Sequence, residues 1–312
     1  MKPEILQIAP MMSSVEEELN RAYVVHEYWK LDDPAGYLAD TGANIRAIAT
    51  DGHHGAKPEI MDALPSLEII SSYGVGYDAI NIPDCKERGV RVSNTPDVLN
   101  DAMAEITVGL MIGLCRRIPQ LDAAVRANEW GRTSFPLLSE LTGAHVGILG
   151  LGRIGKEIAL RLQAFKMKVS YHGRNKQEYL PYDYYGDLEA MARDVDWLVV
   201  VAPGTPETKG IVSKQILEAL GPEGNLVNVA RGTLVDEPAL VEALSNGTIA
   251  GAALDVFEDE PTVPDALKSM ENVVLSPHQG SATRKTRTAM GDLVIRNLAA
   301  HFAGNPLLTP VT

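Results

Sequence analysis

The sequence predicts an α/β protein with two doubly wound parallel sheets. Short runs rich in Val, Ile and Leu alternate with helical stretches along nearly the whole chain, a pattern typical of parallel strands covered by helices on both faces. A length of 312 residues exceeds what one hydrophobic core usually covers, which indicates two domains. The β-rich runs also fall into two sets, separated by a mostly apolar helical stretch at 101–128.

The predicted strands follow in chain order. The first set comprises ILQIA (5–9), IRAIAT (45–50), LEIISS (67–72) and VRVSN (90–94). The second set comprises HVGILG (145–150), MKVSYH (167–172), WLVVVA (197–202), NLVNVA (225–230), GAALDV (251–256) and NVVLSP (272–277). A final helical pattern, ending near residue 303, is long enough to return to the first unit. We therefore predict a discontinuous domain, 1–99 plus 286–312, with a second domain inserted at 100–285.

Composition excludes several classes of partner. The net charge of −13 argues against nucleic acid or an anionic membrane surface, because both favour clustered Lys and Arg. The longest apolar run, ITVGLMIGLC (106–115), is about half of a membrane span and is typical of a buried helix. The N-terminus lacks a signal-peptide pattern, and Cys85 and Cys115 lack metal-type spacing. We expect a cytoplasmic protein with free thiols.

A glycine-rich turn opens the second set of strands. It reads Gly150-Leu151-Gly152-Arg153-Ile154-Gly155, after an apolar strand and before the amphipathic IGKEIALRLQAF. In a dinucleotide-binding turn the first glycine permits a tight bend, the second lets the backbone approach a pyrophosphate, and the third lets helix and strand pack closely. The N–H groups at the helix start then face the phosphates. The context predicts a dinucleotide site.

The cofactor is expected to be NADPH, with NADH possible. NAD sites usually carry an acidic residue about 20 residues after the glycines, which binds the ribose hydroxyls. That position falls on Gly173 and is followed by Arg174 and Asn175. Glycine removes the repulsion of a 2′-phosphate, and an arginine offers it a bidentate fork. The alternative is that Arg174 is an ordinary surface cation.

Three later segments carry reactive side chains at strand ends, where ligands of open α/β sheets bind. They are NVARG (228–232), ALDVFEDEP (253–261) and SPHQGSAT (276–283). The order GLGRIG, NVARG, LDVFEDEP, SPHQGSAT resembles the D-isomer-specific 2-hydroxyacid dehydrogenase family. SSYGVGYD and RVSNTPDVLNDAMAE resemble it too, so the likeness covers nearly the whole chain and is greatest to its glyoxylate/hydroxypyruvate reductases and hydroxyphenylpyruvate reductases. It implies a Rossmann cofactor domain inserted into a flavodoxin-like substrate domain.

The chemistry of 2-keto acid reduction supports the catalytic roles that the resemblance implies. Arg231 would bind the substrate carboxylate and polarise the keto oxygen. His278 would donate the proton, and Glu260 would bond its other ring nitrogen and favour the protonated form. Taken singly, each residue has a structural alternative: a salt bridge, a satisfied loop histidine or a solvated turn acid.

The resemblance also assigns cofactor contacts. Asp255 would accept a bond from the nicotinamide carboxamide, or alternatively cap a short turn. The full set of expected cofactor-binding residues is Gly150, Gly152, Arg153, Ile154, Gly155, Gly173, Arg174, Asn175, Thr205, Ala230, Asp255, His278 and Gly280.

The substrate side is expected in SYGVGYD (72–78). Glycines there let backbone N–H groups approach an anion, and the family resemblance makes Val75 and Gly76 the carboxylate-binding residues. Tyr73 and the loop DGHHG (51–55) would flank the variable end of the substrate. The two histidines of that loop are expected to be solvated, with no metal site.

Trp130, in NEWGR, has two equally weighted interpretations. In related hydroxypyruvate reductases a tryptophan in a similar segment reaches the partner's active site, where it would restrict substrate size. Alternatively it anchors a subunit interface, because tryptophan is enriched at such contacts. The resemblance implies a homodimer.

These observations predict a cytoplasmic NADPH-dependent reductase that converts glyoxylate and hydroxypyruvate to glycolate and D-glycerate. The main alternative is an aromatic 2-keto acid reductase acting on phenylpyruvate or hydroxyphenylpyruvate. A distant alternative is a cofactor-sensing protein without activity, which the missing scaffold extensions and basic face disfavour.

Overall fold

The computed structural model describes residues 2–312, which form two compact units. The first unit joins the residues up to Leu99 to Thr283–Thr312, and the second comprises Asn100–Ala282. The chain thus returns to the first unit at Thr283, three residues before the predicted boundary at 286. Thr283 caps the last helix there, because its hydroxyl oxygen accepts the N–H of Thr286 at 3.1 Å.

The first unit has a five-stranded sheet. Its strands are β1 (Glu4–Gln7), β2 (Val24–Glu27), β3 (Ile45–Asp51), β4 (Ile69–Tyr73) and β5 (Arg91–Ser93). Its helices are α1 (Ser13–Ala22), α2 (Pro34–Thr41), α3 (Pro58–Asp62), α4 (Ile82–Glu87) and α12 (Arg284–Phe302). The strands are all parallel, in the order β2-β1-β3-β4-β5, which is the flavodoxin-like doubly wound order.

The second unit has a seven-stranded sheet. Its strands are β6 (His145–Leu149), β7 (Lys168–His172), β8 (Asp183–Tyr185), β9 (Trp197–Val200), β10 (Asn225–Asn228), β11 (Gly251–Leu254) and β12 (Val273–Leu275). Its helices are α5 (Asn100–Cys115), α6 (Ile118–Arg126), α7 (Arg153–Ala164), α8 (Leu188–Asp194), α9 (Lys214–Leu220), α10 (Glu237–Ser245) and α11 (Asp265–Ser269). The parallel order β12-β11-β10-β9-β6-β7-β8, read from β8, is the dinucleotide-binding order with one strand added.

The predicted fold class is confirmed by these two topologies. The central strands β9 and β11 are buried along their whole length, as expected of parallel sheets covered on both faces. The sequence interpretation missed β2 and β8. Both are edge strands, partly exposed and containing polar residues, so neither shows the continuous apolar run that marks an inner strand.

The helical stretch predicted at 101–128 is two helices, α5 and α6. The break falls at Arg117, which has a left-handed backbone conformation (φ 45°). Pro119 lies in the first turn of α6, where its missing N–H has no bond to lose. In the interior of one continuous helix, Pro119 would lack the N–H that bonds the carbonyl four residues earlier, and its ring would clash with that carbonyl, so one uninterrupted helix is not formed.

The described residues were compared with the requirements for a membrane-spanning helix and for a disulfide bond. Within residues 2–312, no helix combines the length and apolar character needed to cross a membrane. Cys85 and Cys115 are both buried and free of disulfides. Burial raises the pKa of both thiols, that of Cys85 to about 11, so both remain protonated and unreactive at neutral pH.

Candidate active site

The glycine-rich turn between β6 and α7 has the geometry that a pyrophosphate requires. Gly150 has a positive φ of 100°, and a Cβ there would lie 2.6 Å from the backbone of Ala202. A Cβ on Gly155 would lie 2.4 Å from the carbonyl oxygen of Gly150, whereas one on Gly152 would have no heavy atom within 4 Å. Gly150 and Gly155 are thus required by packing, whereas Gly152 leaves open space beside the start of α7. The turn fits a dinucleotide phosphate.

The next strand end carries the predicted selectivity residues. Leu149 pairs with His172 across β6 and β7, so Gly173 and Arg174 begin the neighbouring loop, and Arg174 is exposed. A hydrogen bond from the Thr205 side chain lowers the pKa of Glu207, and the nearby charge of Arg174 lowers it further. Arg174 therefore lies near the predicted cofactor residue Thr205, and also near a carboxylate that the sequence interpretation did not consider.

The turn after β10 presents Arg231. Its shape is set by Asn228, a buried side chain whose Oδ1 accepts the N–H of Ala230 at 3.0 Å and whose Nδ2 donates to the carbonyl of Arg231 at 2.9 Å. The guanidinium of Arg231 donates to the carbonyl of Ala230 at 2.8 Å. Asn228 was missed as a shaping residue, although an asparagine at a strand end often bonds the backbone that follows it.

Strand register brings the segments that carry Arg231, Glu260 and His278 to one edge of the sheet. Asn228 pairs with Leu254, and Leu254 pairs with Leu275, so β10, β11 and β12 end side by side. A Cβ on Gly232 would lie 1.9 Å from the backbone of Phe257. Only glycine permits this approach, which sets the Arg231 turn directly against the segment that carries Glu260.

Glu260 and His278 form a direct pair. The Nδ1 atom of His278 lies 2.7 Å from Oε2 of Glu260, while Oε1 accepts the backbone N–H of Phe257 at 3.1 Å. Because a carboxylate only accepts, Nδ1 carries the hydrogen, and Nε2 is the ring nitrogen left on the opposite side. The Glu260 side chain is 18 % exposed and the imidazole 43 %. The pair thus has a sheltered carboxylate and an accessible imidazole.

Asp255 binds the backbone around the histidine. His278 has φ 53°, a left-handed conformation that costs a non-glycine residue roughly 1–2 kcal/mol. Its N–H donates to the carbonyl of Asp255 at 2.9 Å. The N–H groups of Gln279 and Gly280 donate to Oδ1 and Oδ2 of Asp255, each at 2.7 Å. One residue therefore accepts three consecutive backbone N–H groups.

The predicted carboxylate-binding loop follows β4. The carbonyl of Gly74 accepts the N–H of Thr95 at 2.9 Å, and the carbonyl of Val75 accepts Nδ2 of Asn94 at 2.9 Å. In a trans peptide the N–H points opposite to the carbonyl. The N–H groups of Val75 and Gly76 are therefore both directed away from the 94–95 segment, as an anion-binding loop requires.

Tyr73 is placed differently from its predicted role as a substrate contact. Its side chain is buried, and its hydroxyl donates to the carbonyl of Arg287 at 2.8 Å. The Arg287 guanidinium lies 5.5 Å from the ring centroid. Burial raises the pKa of Tyr73, while the Arg287 charge lowers it. Tyr73 thus supports the loop from within the first unit.

The DGHHG loop is held by hydrogen bonds to Asp51, and its two histidines are exposed, as predicted. The Oδ1 atom of Asp51 accepts the N–H groups of His53 and His54 at 2.9 and 2.7 Å, and Nδ1 of His54 lies 3.0 Å from both carboxylate oxygens. Asp51 pairs with Tyr73 across the sheet, and a Cβ on Gly74 would lie 3.5 Å from the Gly52 nitrogen. An aspartate three residues before a histidine is a weak indication of the Asp51–His54 contact in the sequence.

The family model for the D-isomer specific 2-hydroxyacid dehydrogenase, NAD binding domain, matches residues 108–280. The matched region includes the glycine-rich turn, Arg231, Asp255, Glu260 and His278.

Similar proteins extend the match to both units. A hydroxyphenylpyruvate reductase of Plectranthus scutellarioides is 47% identical over 98% of this chain and 98% of its own. Glyoxylate/hydroxypyruvate reductase A of Arabidopsis thaliana is 44% identical, again over 98% of both chains. The crystal structure of an NADPH-dependent glyoxylate/hydroxypyruvate reductase from Sinorhizobium meliloti, in complex with NADP and malonate, is 44% identical, with a TM-score of 0.93 over 100% of this chain and 97% of that one.

Proposed function

The chain belongs to the D-isomer specific 2-hydroxyacid dehydrogenase family of NAD(P)-dependent oxidoreductases, and we propose that it uses NADPH to reduce small 2-keto acids. The proposed substrates are glyoxylate and hydroxypyruvate, and the products glycolate and D-glycerate. The observation that carries the proposal is the His278–Glu260 pair at 2.7 Å, at the sheet edge where the Arg231 turn ends. A cation for the carboxylate and an acid for the keto oxygen are what this reduction requires.

Each side chain has a distinct task in the reduction. Arg231 pairs its guanidinium with the substrate carboxylate and polarises the keto oxygen. In the first unit, the N–H groups of Val75 and Gly76 form the proposed anion-binding loop. NADPH, held by the glycine-rich turn between β6 and α7, would supply the hydride for the reduction. His278 donates the Nε2 proton to the keto oxygen and is left neutral, and Glu260 stabilises the charged imidazole before that transfer.

The test of the proposed substrates is a comparison of turnover. Purified protein is mixed with NADPH and either glyoxylate, hydroxypyruvate or 4-hydroxyphenylpyruvate, and loss of the reduced-nicotinamide absorbance is followed. We expect the highest kcat/KM with hydroxypyruvate or glyoxylate. A strong preference for 4-hydroxyphenylpyruvate would instead establish the aromatic alternative, which the 47% identity to a hydroxyphenylpyruvate reductase favours.

Preference for NADPH over NADH is proposed from the loop after β7. Gly173 leaves space that an acidic side chain would occupy, since a Cβ there has no heavy atom within 4 Å, and Arg174 is exposed beside it. An exposed guanidinium in this place can bind a 2′-phosphate by two charge-assisted bonds. The relative from Sinorhizobium meliloti, whose structure contains NADP, supports this choice.

Replacing Arg174 by alanine is expected to raise the KM for NADPH about 10- to 100-fold, because one charge-assisted interaction contributes about 1.5–3 kcal/mol. The KM for NADH should stay nearly constant. The matched control is Arg193→Ala, which removes an exposed arginine that pairs with Glu189 on α8 and should change neither value. Equal weakening of both cofactors by Arg174→Ala would contradict the assignment.

A homodimer is proposed from an exposed apolar segment, residues 118–141. Trp130 is 79 % exposed and Leu137 is fully exposed, and Ile118, Val125 and Phe135 are exposed as well. Such a concentration of exposed large apolar side chains is uncommon on a monomer and is typical of an interface. Both interpretations of Trp130 need a partner subunit.

Replacing Leu137 by glutamate should shift the protein from dimer to monomer, because the new carboxylate would be buried without a partner in the dimer. Sedimentation velocity at micromolar concentration measures the shift. Tyr179→Glu is the control, since Tyr179 is equally exposed but lies outside the segment. A wild-type protein that sediments as a monomer, or a Leu137→Glu variant that remains dimeric, would overturn the interface.

The free thiols support a cytoplasmic location. Cys85 and Cys115 are buried and free, which suits a reducing compartment. We place the protein in the cytoplasm on this ground.

A further inference from the structure

The loop that follows β7, residues 173–177, is fixed at both ends by side chains outside the expected cofactor set. At its start, the hydroxyl of Tyr184 on β8 donates to the carbonyl of Gly173 at 3.1 Å. At its end, the N–H of Gln177 donates to the hydroxyl of Tyr171 at 2.6 Å. Tyr171 is 1 % exposed, and the centroids of the two tyrosine rings lie 5.2 Å apart. One aromatic pair therefore holds both ends of the loop.

The side chain of Gln177 also joins this loop to the glycine-rich turn. Its Nε2 atom donates to the carbonyl of Leu151 at 2.7 Å, and Leu151 directly follows Gly150 in that turn. A second bond joins the two segments just before the loop, where the N–H of Gly150 donates to the carbonyl of His172 at 2.9 Å. The loop is thus tied at its start and at its end to the segment that would face the pyrophosphate.

We propose that Gln177 is a positioning residue for cofactor selectivity, which fixes the loop that carries Arg174 at a set distance from the glycine-rich turn. The proposal rests on the proposed preference for NADPH. The 2′-phosphate and the pyrophosphate belong to one NADPH molecule, so a protein that binds both must match the spacing between them. NADH has no 2′-phosphate and requires only the turn. Gln177 would therefore favour NADPH through Arg174, without a contact of its own to the phosphate.

The arrangement suits this task because it orders the backbone and leaves the side chains of the loop free. The three residues between the fixed ends, Arg174, Asn175 and Lys176, are all exposed, and each carries N–H donors. A backbone that is already fixed reduces the conformational entropy that is lost when a donor binds a phosphate. The half-buried amide of Gln177 provides the link to a carbonyl without adding a charge.

The test measures the Kd for NADPH and for NADH by fluorescence titration of the full-length protein, without any keto acid. Gln177→Met removes the donor to Leu151 and retains an unbranched side chain, and Tyr184→Phe removes the bond at the other end of the loop. The matched controls are Gln163→Met and Tyr182→Phe. They break a similar side-chain bond outside the loop, from the hydroxyl of Tyr182 to Oε1 of Gln163 at 3.1 Å.

For Gln177→Met we expect the Kd for NADPH to rise about 3- to 10-fold, the effect of one net hydrogen bond, with the Kd for NADH nearly constant. Tyr184→Phe should change the same ratio in the same direction, and it carries the test alone if Gln177→Met does not fold. Both controls should retain the wild-type ratio. Gln177→Met added to Arg174→Ala should not weaken NADPH further, because the guanidinium that it positions is then absent.

Equal weakening of both cofactors by Gln177→Met would overturn the positioning role, because Gln177 would then support only the glycine-rich turn. An unchanged Kd for NADPH would overturn it too, as would additive losses in the double variant with Arg174→Ala. The same holds for a wild-type ratio in Tyr184→Phe when Gln177→Met does not fold. If Arg174→Ala itself leaves the Kd for NADPH unchanged, the proposed NADPH site fails, and the role of Gln177 fails with it.

Discussion

Replacing His278 by glutamine should lower kcat for hydroxypyruvate about 10²- to 10⁴-fold, which is the usual contribution of general acid catalysis. Glutamine retains a polar side chain of similar reach but has no acidic proton to give. The Kd for NADPH should not change, because the proposed phosphate site, at the glycine-rich turn and the start of α7, lies at a different strand end. Steady-state kinetics with saturating NADPH, together with fluorescence titration of the cofactor, measure both values.

Glu260→Gln is the comparison variant that tests whether the contact between Glu260 and His278 is used in catalysis. Its amide retains an acceptor for the N–H of Phe257 but no longer stabilises a charged imidazole, so kcat should fall less than in His278→Gln. Residues that act as one unit are not additive, and the double variant should therefore be no slower than His278→Gln alone. Additive losses would mean that the 2.7 Å contact is not used in catalysis.

Replacing Arg231 by glutamine should lower kcat/KM for hydroxypyruvate about 10²- to 10⁴-fold. A bidentate pair contains two charge-assisted hydrogen bonds, each contributing about 1.5–3 kcal/mol, and a factor of ten in rate corresponds to about 1.4 kcal/mol. Both KM and kcat should change, because the guanidinium binds the carboxylate in the ground state and polarises the carbonyl in the transition state.

Arg231→Lys separates charge from geometry. Lysine retains the positive charge but loses the planar fork, so its kcat/KM should lie between those of the wild type and Arg231→Gln. The Kd for NADPH should remain constant in both variants. A kcat/KM within tenfold of the wild type for Arg231→Gln would remove this residue from the substrate site.

Local sequence patterns predicted the glycine-rich turn and the inner strands, because backbone sterics and burial act on neighbouring residues. The turn from Gly150 to Gly155 was found from its spacing together with the flanking apolar strand and amphipathic helix, and the structure shows the close approaches that exclude side chains at both positions. The inner strands were found because burial on both faces requires continuous apolar runs. The edge strands β2 and β8 were missed for the same reason.

The contacts of Asp255 and Tyr73 were not predicted, because each joins residues that are far apart in the chain. Nothing near Asp255 indicates that its oxygens accept the N–H groups of residues 24 and 25 positions later, since that contact depends on the register of β11 and β12. The left-handed backbone of His278 is likewise invisible in a non-glycine residue. Tyr73 was assigned to the substrate, but its hydroxyl bonds the carbonyl of Arg287, which only the return of α12 to the first unit makes possible.

The most direct test of the catalytic assignment is a crystal structure with NADP⁺ and oxamate, an unreactive analogue of a 2-keto acid. We expect the Arg231 guanidinium to pair with the oxamate carboxylate, and Nε2 of His278 to lie within hydrogen-bond distance of the neighbouring carbonyl oxygen while Nδ1 stays on Glu260. Oxamate bound away from Arg231, or an imidazole turned from the carbonyl oxygen, would contradict the assignment.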